Sequence, residues 1–381
     1  MYLRRSIKLS MVTVATAAVI LAVRIGAAEP GNSYKVQNLV SDGFITTTQP
    51  PDPLLVNGWG IAASATSPWW VSAADSNSSL IYNATGVRAP LVVQVPGGPT
   101  GIVANSTTGF VVTVGASSGT ARFIWAAEDG TISAWTPAIA PTTLSHVMVP
   151  NAQAPAHDAS YKGLALAQTA TGAFLYAADF HNNHVDVFDS AFHAVTLAGG
   201  FVDPKLPKGF APFGIQTIGT MIFVAYAKQD ADAEDEVAGD GLGFVSAFNP
   251  DGTFVRRVAS RDALNAPWGM AMAPANFGRF SGDLLVGNFG NGRINAFDPV
   301  TFEPKGHLKD THGKAVHIDG LWGIGFGNGA AAGPTNVLYF AAGPEEEEHG
   351  LFGRIDAEPA EHHDKHDKHD KHDEHDEDDE G

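Results

Sequence analysis

Hydrophobic and polar residues alternate along most of the chain, in short segments that glycine, asparagine, aspartate and proline interrupt. In one segment Val185 and Val187 would face the same side, and in another Ile294 and Ala296 would do so. Alternation with a period of two predicts a β-strand with one buried face. Residues before these segments, such as 182–183, supply the positive φ angles that tight hairpins need. The pattern therefore predicts many short antiparallel strands.

One segment type, an apolar strand that opens on a glycine, occurs six times in the sequence. From the second copy onward the shared glycines lie 51 to 62 residues apart. The copies lie at residues 58–62, 100–104, 162–166, 213–216, 268–271 and 322–325. A self-similar unit of this length is typical of repeat architectures, and glycine suits a crowded innermost strand.

A second recurring segment follows each copy; for example, residues 179–189 align without a gap on residues 288–298. A further apolar strand is expected between the two segments, as at 110–112 in the second repeat. A fourth strand is expected after them, as at 254–258. Four antiparallel strands repeated six times predict an all-β fold, a six-bladed β-propeller over residues 34–356. A β-sandwich is the alternative, but it would not need six copies of a four-strand unit.

The first predicted strand, residues 34–40, has no blade of its own. The sequence after Asp356 does not suit a fourth strand for the last blade. We therefore expect residues 34–40 to complete blade six, which closes the ring and removes exposed strand edges.

Several motifs of the body resemble those of an uncharacterised family of exported bacterial propellers. They are the opening strand, NGWG at 57–60, APWG at 266–269, VGNFG at 286–290 and GLWG at 320–323. The resemblance covers nearly all of the predicted propeller and implies its fold and its export. It implies no activity, because none is established for that family. Some members carry a C-terminal sorting signal, whereas this chain ends in a charged, His-rich tail.

The composition restricts the class of partner. The formal net charge is −18, and residues 361–380 alone hold eleven acids against three lysines. No basic surface is available to follow phosphates, so a nucleic-acid partner is excluded. The chain has no cysteine, so its core and topology must hold the fold without disulfides.

Residues 1–28 have the organisation of a signal peptide. Its parts are basic residues (Arg4, Arg5 and Lys8), an apolar stretch (9–23) and small residues before the cleavage point (26–28). Cleavage is the favoured prediction, an uncleaved membrane anchor is the alternative, and a twin-arginine signal is a minor third. The expected location is periplasmic or extracellular, with membrane contact only through an uncleaved segment.

The tail, residues 357–381, repeats the triplet His-Asp-Lys, a composition that predicts disorder. Imidazoles spaced three apart among carboxylates can bind Zn²⁺, Ni²⁺ or Cu²⁺, and a merely solvating tail is the alternative. The candidate ligands are His362, His363, His366, His369, His372 and His375.

Two acidic loops could line one rim of the propeller, and the first of them is a candidate cation site. The first, 230–240, is an insertion in blade four that could bring oxygen ligands to Ca²⁺, although it lacks the glycine of an EF-hand. Its candidate ligands are Asp230, Asp232, Glu234 and Asp240. The second, 345–349, is the equivalent loop of blade six, so both loops are expected at the same edge of the propeller. Solvated loops that favour solubility are the alternative for both.

The inner strands carry candidate ligand-binding residues. Trp59, Trp268 and Trp322 occupy equivalent positions, where a ring of indoles could stack on a sugar or simply pack the blades together. A second set, which aligns across blades, would supply the axial donors of a metal site. It comprises Asp75, Asp179 and Asn288.

His157 beside Asp158, and His181 near Asp179, are weak candidates for acid–base chemistry. Three functions remain open: a binding or scaffold module for a small molecule, glycan or protein; a metal-dependent, lactonase-like hydrolase; and a metal carrier whose tail delivers an ion to the body.

Overall fold

The alternating segments form six small antiparallel sheets around a common axis, which confirms the six-bladed β-propeller predicted from the sequence. The computed structural model describes residues 31–155 and 158–359. Within that part of the chain, helix is confined to two short 3₁₀ turns, Asn151–Gln153 and Gly278–Phe280. The predicted signal segment and the predicted tail ligands lie outside the described residues.

The strands follow the blades in chain order. The first strand is β1 (Tyr34–Ser41); blade one contains β2 (Gly58–Ala62), β3 (Trp69–Ala73), β4 (Ser78–Tyr82) and β5 (Arg88–Gln94); and blade two contains β6 (Pro99–Ala104), β7 (Val111–Val114), β8 (Ser117–Thr120), β9 (Phe123–Ala127), β10 (Ile132–Trp135) and β11 (His146–Val149). Blade three contains β12 (Tyr161–Thr169), β13 (Gly172–Asp179) and β14 (His184–Asp189), and blade four contains β15 (Phe210–Ile218), β16 (Met221–Lys228), β17 (Gly243–Phe248) and β18 (Phe254–Ser260). Blade five contains β19 (Pro267–Met272), β20 (Leu284–Asn288), β21 (Ile294–Phe297) and β22 (Pro304–His307), and blade six contains β23 (Leu321–Phe326), β24 (Val337–Ala342) and β25 (Leu351–Ala357).

The inner strands of neighbouring blades approach so closely that only glycine fits between them. A Cβ atom on Gly60 would lie 2.5 Å from the carbonyl oxygen of Thr100, in the next blade. Across the seam between the last blade and the first, a Cβ on Gly323 would lie 2.8 Å from the carbonyl oxygen of Trp59. Contacts this short are below the van der Waals limit, so the glycine of the repeated segment is required for the ring to close.

The first strand closes the ring, as the sequence predicts. Strand β1 pairs antiparallel with β25, from Tyr34 opposite Ala357 to Ser41 opposite Leu351. Tyr34 is fully buried, and its hydroxyl donates a hydrogen bond of 3.1 Å to the carbonyl oxygen of Phe277 in blade five. The start of the propeller is therefore held by both of the last two blades.

The prediction that residues 110–112 form the second strand of blade two is wrong. The segment around Val112 pairs instead within the separate β7–β8 hairpin, and β9 takes its place in the blade. All five residues of β9 are buried, whereas Val111 and Val114 are 46% and 44% exposed. The more completely apolar segment occupies the blade because it buries both of its faces there.

Blade three also departs from a regular four-stranded unit. Its sheet contains three strands, and the fourth position is occupied by a segment that makes a single bridge between Phe188 and Ala194. The edge is still covered, because the amide of Val195 donates to the carbonyl oxygen of Val187.

Most of the hydrophobic core lies between adjacent blades. One cluster joins blades one and two through Trp70, Trp125 and Trp135, and another joins blades five and six through Leu285, Leu321 and Phe340. Across residues 31–155 and 158–359, no helix has the length and apolar character needed to span a membrane.

Candidate functional site

The channel along the propeller axis differs at its two ends. Where the inner strands end, a cavity of about 580 Å³ is lined by apolar side chains that include Ile61, Ile102, Leu164, Met270 and Ile324. The opposite end, where the inner strands begin, carries aromatic and charged side chains. We call this end the mouth; it lies around Trp59, Lys162 and Trp322.

The three predicted indoles meet at the mouth. The rings of Trp59 and Trp322 stack with centroids 3.8 Å apart, and Phe289 stacks on Trp322 at 4.1 Å. Trp268 meets Trp322 edge to face at 5.8 Å and remains half-buried. Because Trp59 and Phe289 both stack in parallel on Trp322, they cover its two faces, and this layer closes the channel by packing.

Lys162 lies on top of this aromatic layer. It is the second residue of β12, the inner strand of blade three, and is only 3% exposed. Its Nζ atom lies 2.6 Å from Oε1 of Glu128, 3.4 Å from Oδ1 of Asp235, and 5.4 Å from the centre of the Trp59 ring. Burial by itself lowers the pKa of Lys162, but the hydrogen bond to Glu128 and the charges of Glu128, Asp235 and Glu236 together outweigh it, so the pKa is raised and the ammonium group stays charged.

Two further carboxyl groups share this site. Burial raises the pKa of Glu236 to about 8, and the charges of Glu347 and Asp235 add to that shift against the opposing charge of Lys162. Burial likewise raises the pKa of Glu347 to about 7, with Glu128 and Asp75 adding to it. Both groups are half-buried. We call Glu128, Lys162, Asp235, Glu236 and Glu347 the mouth cluster.

The loop that carries Glu347 has an unusual backbone. Glu345, Glu346 and Glu347 have φ angles of 53°, 56° and 71°, in the left-handed region that non-glycine residues rarely adopt. The amide of Glu345 donates to the carboxylate of Asp319, which helps to fix the turn. This conformation brings Glu347 to Asn57, whose Nδ2 donates to Oε1 of Glu347 at 3.1 Å. Strain of this kind is found where a loop must aim a side chain.

Three buried polar atoms at the mouth have no hydrogen-bond partner among the described residues. They are Oδ1 of Asn57 and the Nε1 atoms of Trp59 and Trp322. The other amide atom of Asn57 is occupied, because Nδ2 also approaches Oδ1 of Asp75 at 3.4 Å. An unpaired buried acceptor beside two unpaired donors is costly unless another molecule supplies the missing bonds.

A cavity of about 410 Å³ opens beside the mouth cluster between blades two, three and four. Five carboxylates and a single ammonium group line it: Glu128, Asp129, Asp158, Glu234, Asp235 and Lys162. Both His181 and Ser160 also line the wall. The cavity therefore presents a strongly negative surface.

The structure brings the two acidic loops together, but not through the acids that the sequence singled out. The side chain of Asp230 accepts a hydrogen bond from the amide of Glu234, which folds the loop into a turn. Asp232 and Asp240 are exposed, and of the four candidates only Glu234 lines the cavity. Asp235 and Glu236 reach the mouth instead.

The predicted axial donors do not converge on one another. Asp75 is exposed and approaches Asn57, whereas Asp179 is buried and accepts hydrogen bonds from Ser160 and Asn182. Asn288 is buried, and its Nδ2 donates to the carbonyl oxygen of Ala263. Asp179 is thus held at the hairpin of blade three, and Asn288 is held against the connection between blades four and five. His157 and the tail histidines lie outside the described residues.

Sequence reasoning missed Lys162, Glu128 and Asn57. A signal was present for Lys162, because it is the one charged residue that immediately precedes the shared glycine in any of the six repeats. Nothing comparable marks Glu128 or Asn57, which become neighbours of the site only when distant blades meet.

Comparison with known proteins identifies relatives of this chain in Acanthamoeba polyphaga mimivirus. Uncharacterized protein R648 is 34% identical over 334 residues, which span 85% of this chain and 80% of the relative. Uncharacterized protein L690 is 34% identical over 339 residues, which span 85% of this chain and 86% of the relative. The chain belongs to the family of these mimivirus proteins. No protein-family model matches it.

Solved propellers share the fold at much lower identity. A gluconolactonase of Xanthomonas campestris has a TM-score of 0.49 at 12% identity, with 80% of this chain and 86% of that chain covered. The aldose sugar dehydrogenase of Escherichia coli has a TM-score of 0.49 at 12% identity, with 86% and 100% covered. These likenesses concern the fold alone.

Proposed function

We propose that this member of the mimivirus protein family is a β-propeller binding module, and that the mouth cluster takes a small positively charged ligand. The observation that carries the proposal is the imbalance of charge around Lys162: four carboxyl groups of the cluster face a single ammonium group. Two of them, Glu236 and Glu347, have raised pKa values because burial and the neighbouring carboxyls disfavour their charge.

A cation at the mouth would relieve this repulsion and keep both carboxyl groups ionised. Carboxylate oxygens, together with the unpaired Oδ1 of Asn57, are the ligands that Ca²⁺ prefers. The same oxygens accept hydrogen bonds from an organic ammonium group. The shared chemistry is therefore a positive charge with several oxygen contacts, whether the source is a metal ion or an amine.

Binding, rather than hydrolysis, fits the geometry of the donors. A lactonase-like site would need Asp75, Asp179 and Asn288 to converge, but Asp179 faces His184 of blade three and Asn288 faces Ala263 in the connection between blades four and five. The mouth cluster draws its groups from blades two, three, four and six, as a ligand site on the axis of a ring should.

Tryptophan fluorescence of the full-length protein tests the proposal, because Trp59 and Trp322 report on the mouth and the tail contains no tryptophan. Calcium chloride and 1,4-diaminobutane are titrated separately, which distinguishes a metal ion from an amine. We expect a saturable change with at least one of them. The Glu347→Gln variant should weaken that response by about tenfold, the equivalent of about 1.4 kcal/mol.

Glu346→Gln is the matched control, since Glu346 has the same backbone region but an exposed side chain. Its response should equal that of the parent protein. A cation site at the mouth would be refuted by the absence of a saturable response to either compound. It would also be refuted if Glu347→Gln and Glu346→Gln lost the same affinity.

Export is proposed on the sequence of residues 1–28, whose basic, apolar and small-residue parts match a signal peptide. A mature protein starting near Glu29 outside the cytoplasm would support cleavage. An intact N-terminus in the membrane fraction would support an anchor, and an intact N-terminus in the cytoplasm would contradict export.

A further inference from the structure

The hairpin between β13 and β14 of blade three holds a second cluster of titratable side chains. Asp179 ends β13 and is paired in register with His184, which begins β14. Asp186 lies two residues further along β14, so its side chain is on the same face as that of His184. The tight turn between the strands therefore places one imidazole against two carboxylates.

The three groups are close enough to share one ion. Nε2 of His184 lies 2.8 Å from Oδ1 of Asp186 and 3.6 Å from Oδ2 of Asp179. One ligand atom from each residue lies within 4.8 Å of the other two. Tetrahedral ligands of a zinc ion lie about 3.4 Å from one another, because each bond is about 2.1 Å long. Small side-chain adjustments would therefore bring the three ligand atoms to the spacing of zinc ligands.

Each candidate ligand is oriented by a second contact. The hydroxyl of Tyr161 donates to Oδ2 of Asp186 at 2.6 Å, and Nδ2 of Asn182 donates to Oδ2 of Asp179 at 3.0 Å. Nδ1 of His184 lies 3.3 Å from the carbonyl oxygen of Asn182, which can only accept, so Nδ1 is the donor. By the same reasoning Nε2 donates to Oδ1 of Asp186, and a metal ion held by the three groups would take the place of that proton.

Blade five shows that the hairpin does not need these groups. The aligned positions there are Asn288, Arg293 and Asn295, and both asparagine amides donate to the carbonyl oxygen of Ala263. The same turn is thus stabilised by neutral amides. In blade three, by contrast, Asp179 and Asp186 are 0% and 3% exposed, and the His184 imidazole lies between these two buried carboxylates, where a positive charge offsets the cost of burying them.

We propose that Asp179, His184 and Asp186 form a binding site for one divalent transition-metal ion of the zinc class, separate from the mouth. One imidazole nitrogen and two carboxylate oxygens supply three ligands, which leaves a fourth position for water or another donor. A cavity of about 290 Å³ lined by His184 and Asp186 gives the ion a route to the site.

The test uses the full-length protein in which the six tail histidines, His362, His363, His366, His369, His372 and His375, are replaced by asparagine to remove their background. Zinc is titrated by calorimetry, and Co²⁺ is added separately to record its visible absorption. We expect one zinc ion per chain. His184→Ala should weaken zinc binding by about tenfold or more and abolish the Co²⁺ bands, since even supporting residues contribute on that scale.

His193→Ala is the matched control, because His193 lies in the same blade and also faces a carboxylate. Its side chain is 78% exposed, and its Nδ1 atom lies 3.6 Å from Oδ2 of Asp189. It should leave zinc affinity unchanged. Asp186→Asn is a second variant that keeps an oxygen for the hydroxyl of Tyr161, and it too should lose affinity. Far-UV circular dichroism verifies that each variant is folded.

The proposal is overturned if the parent binds no zinc, or if folded His184→Ala binds it as tightly as the parent. Calcium or diamine binding reported by tryptophan fluorescence should persist in His184→Ala, so failure at this site is distinguishable from failure at the mouth.

Discussion

Nδ2 of Asn57 donates a hydrogen bond of 3.1 Å to the carboxylate of Glu347, a residue 290 positions later in the chain. Asn57 precedes the inner strand of blade one, and Glu347 lies in the loop between the second and third strands of blade six. The two meet because β1 joins blade six and brings the first blade against the last. The mouth cluster is therefore a product of ring closure.

Binding of a cation at the mouth should depend on pH. Glu236 and Glu347 have pKa values raised to about 8 and about 7, so both are largely protonated in mildly acidic solution. Affinity should increase as the pH rises from about 6 to about 9, because each group becomes an anion over that range. Fluorescence titrations at several pH values measure this. A flat profile would show that these carboxyls do not bind the cation.

The same two groups should make stability depend on pH with a definite sign. Their pKa in the folded state is above the ordinary glutamate value of 4.5, so the folded protein holds their protons more tightly than the unfolded chain. Their contribution to stability is complete below the ordinary value and is lost as the pH rises through the folded-state values.

The Glu236→Gln/Glu347→Gln double variant should therefore lose less stability than the parent as the pH rises from about 5 to about 9. Urea denaturation at the two pH values measures the difference. Equal changes in parent and variant would contradict the raised pKa values.

Replacing Lys162 by methionine should strengthen cation binding while it weakens the fold. The change removes the only positive charge of the mouth cluster, so a bound cation no longer meets a like charge, and affinity should rise by about tenfold. The ion pair with Glu128 is lost, so the urea midpoint should fall. Weaker cation binding by a folded variant would mean that Lys162 holds the ligand rather than opposing it.

The seam glycine should be intolerant of even one methyl group. Gly323→Ala places a Cβ 2.8 Å from the carbonyl oxygen of Trp59, and we expect it to lower the free energy of unfolding by about 1–3 kcal/mol. Val300→Ala, at a side chain 76% exposed, serves as the control and should change little. Urea denaturation measures both. A Gly323→Ala protein as stable as the control would argue against close approach at the seam.

Tyr34 should contribute to closure through its ring more than through its hydroxyl. Tyr34→Ala removes a fully buried ring that stacks on Phe280, and should cost about 3–5 kcal/mol. Tyr34→Phe removes only the hydroxyl, which donates to the carbonyl oxygen of Phe277 and accepts from the amide of Phe280, and should cost about 1–3 kcal/mol for the two bonds. Equilibrium unfolding compares them. Near-equal stability of Tyr34→Ala and the parent would contradict closure by the first strand.

The sequence predicts the fold well because each blade repeats the same local rule. A glycine where inner strands touch, alternation along the strands and turn residues between them are all visible in one chain. Blade two misleads because the apolar segment around Val112 resembles a blade strand, yet β9 is more apolar and takes the place. Local pattern does not show which of two competing strands buries more surface.

The mouth is less predictable because its residues belong to different blades. The sequence predicts that the loops 230–240 and 345–349 lie at one edge of the propeller. It does not show which of their acidic side chains turn inward. That choice depends on the turn in which Asp230 binds the amide of Glu234, and on the left-handed backbone of Glu347. Lys162 is marked in the sequence as the one charged residue before the shared glycine, but its partners Glu128 and Asp235 come from other blades and only the structure shows them.

The most direct measurement is the ionisation of Glu236 and Glu347 by ¹³C NMR of their carboxyl carbons, with and without calcium or 1,4-diaminobutane. A cation bound at the mouth must favour the charged form of both groups, so both pKa values should fall from about 8 and about 7 when at least one of the two ligands is present. Values that stay the same with both ligands would contradict cation binding at the mouth.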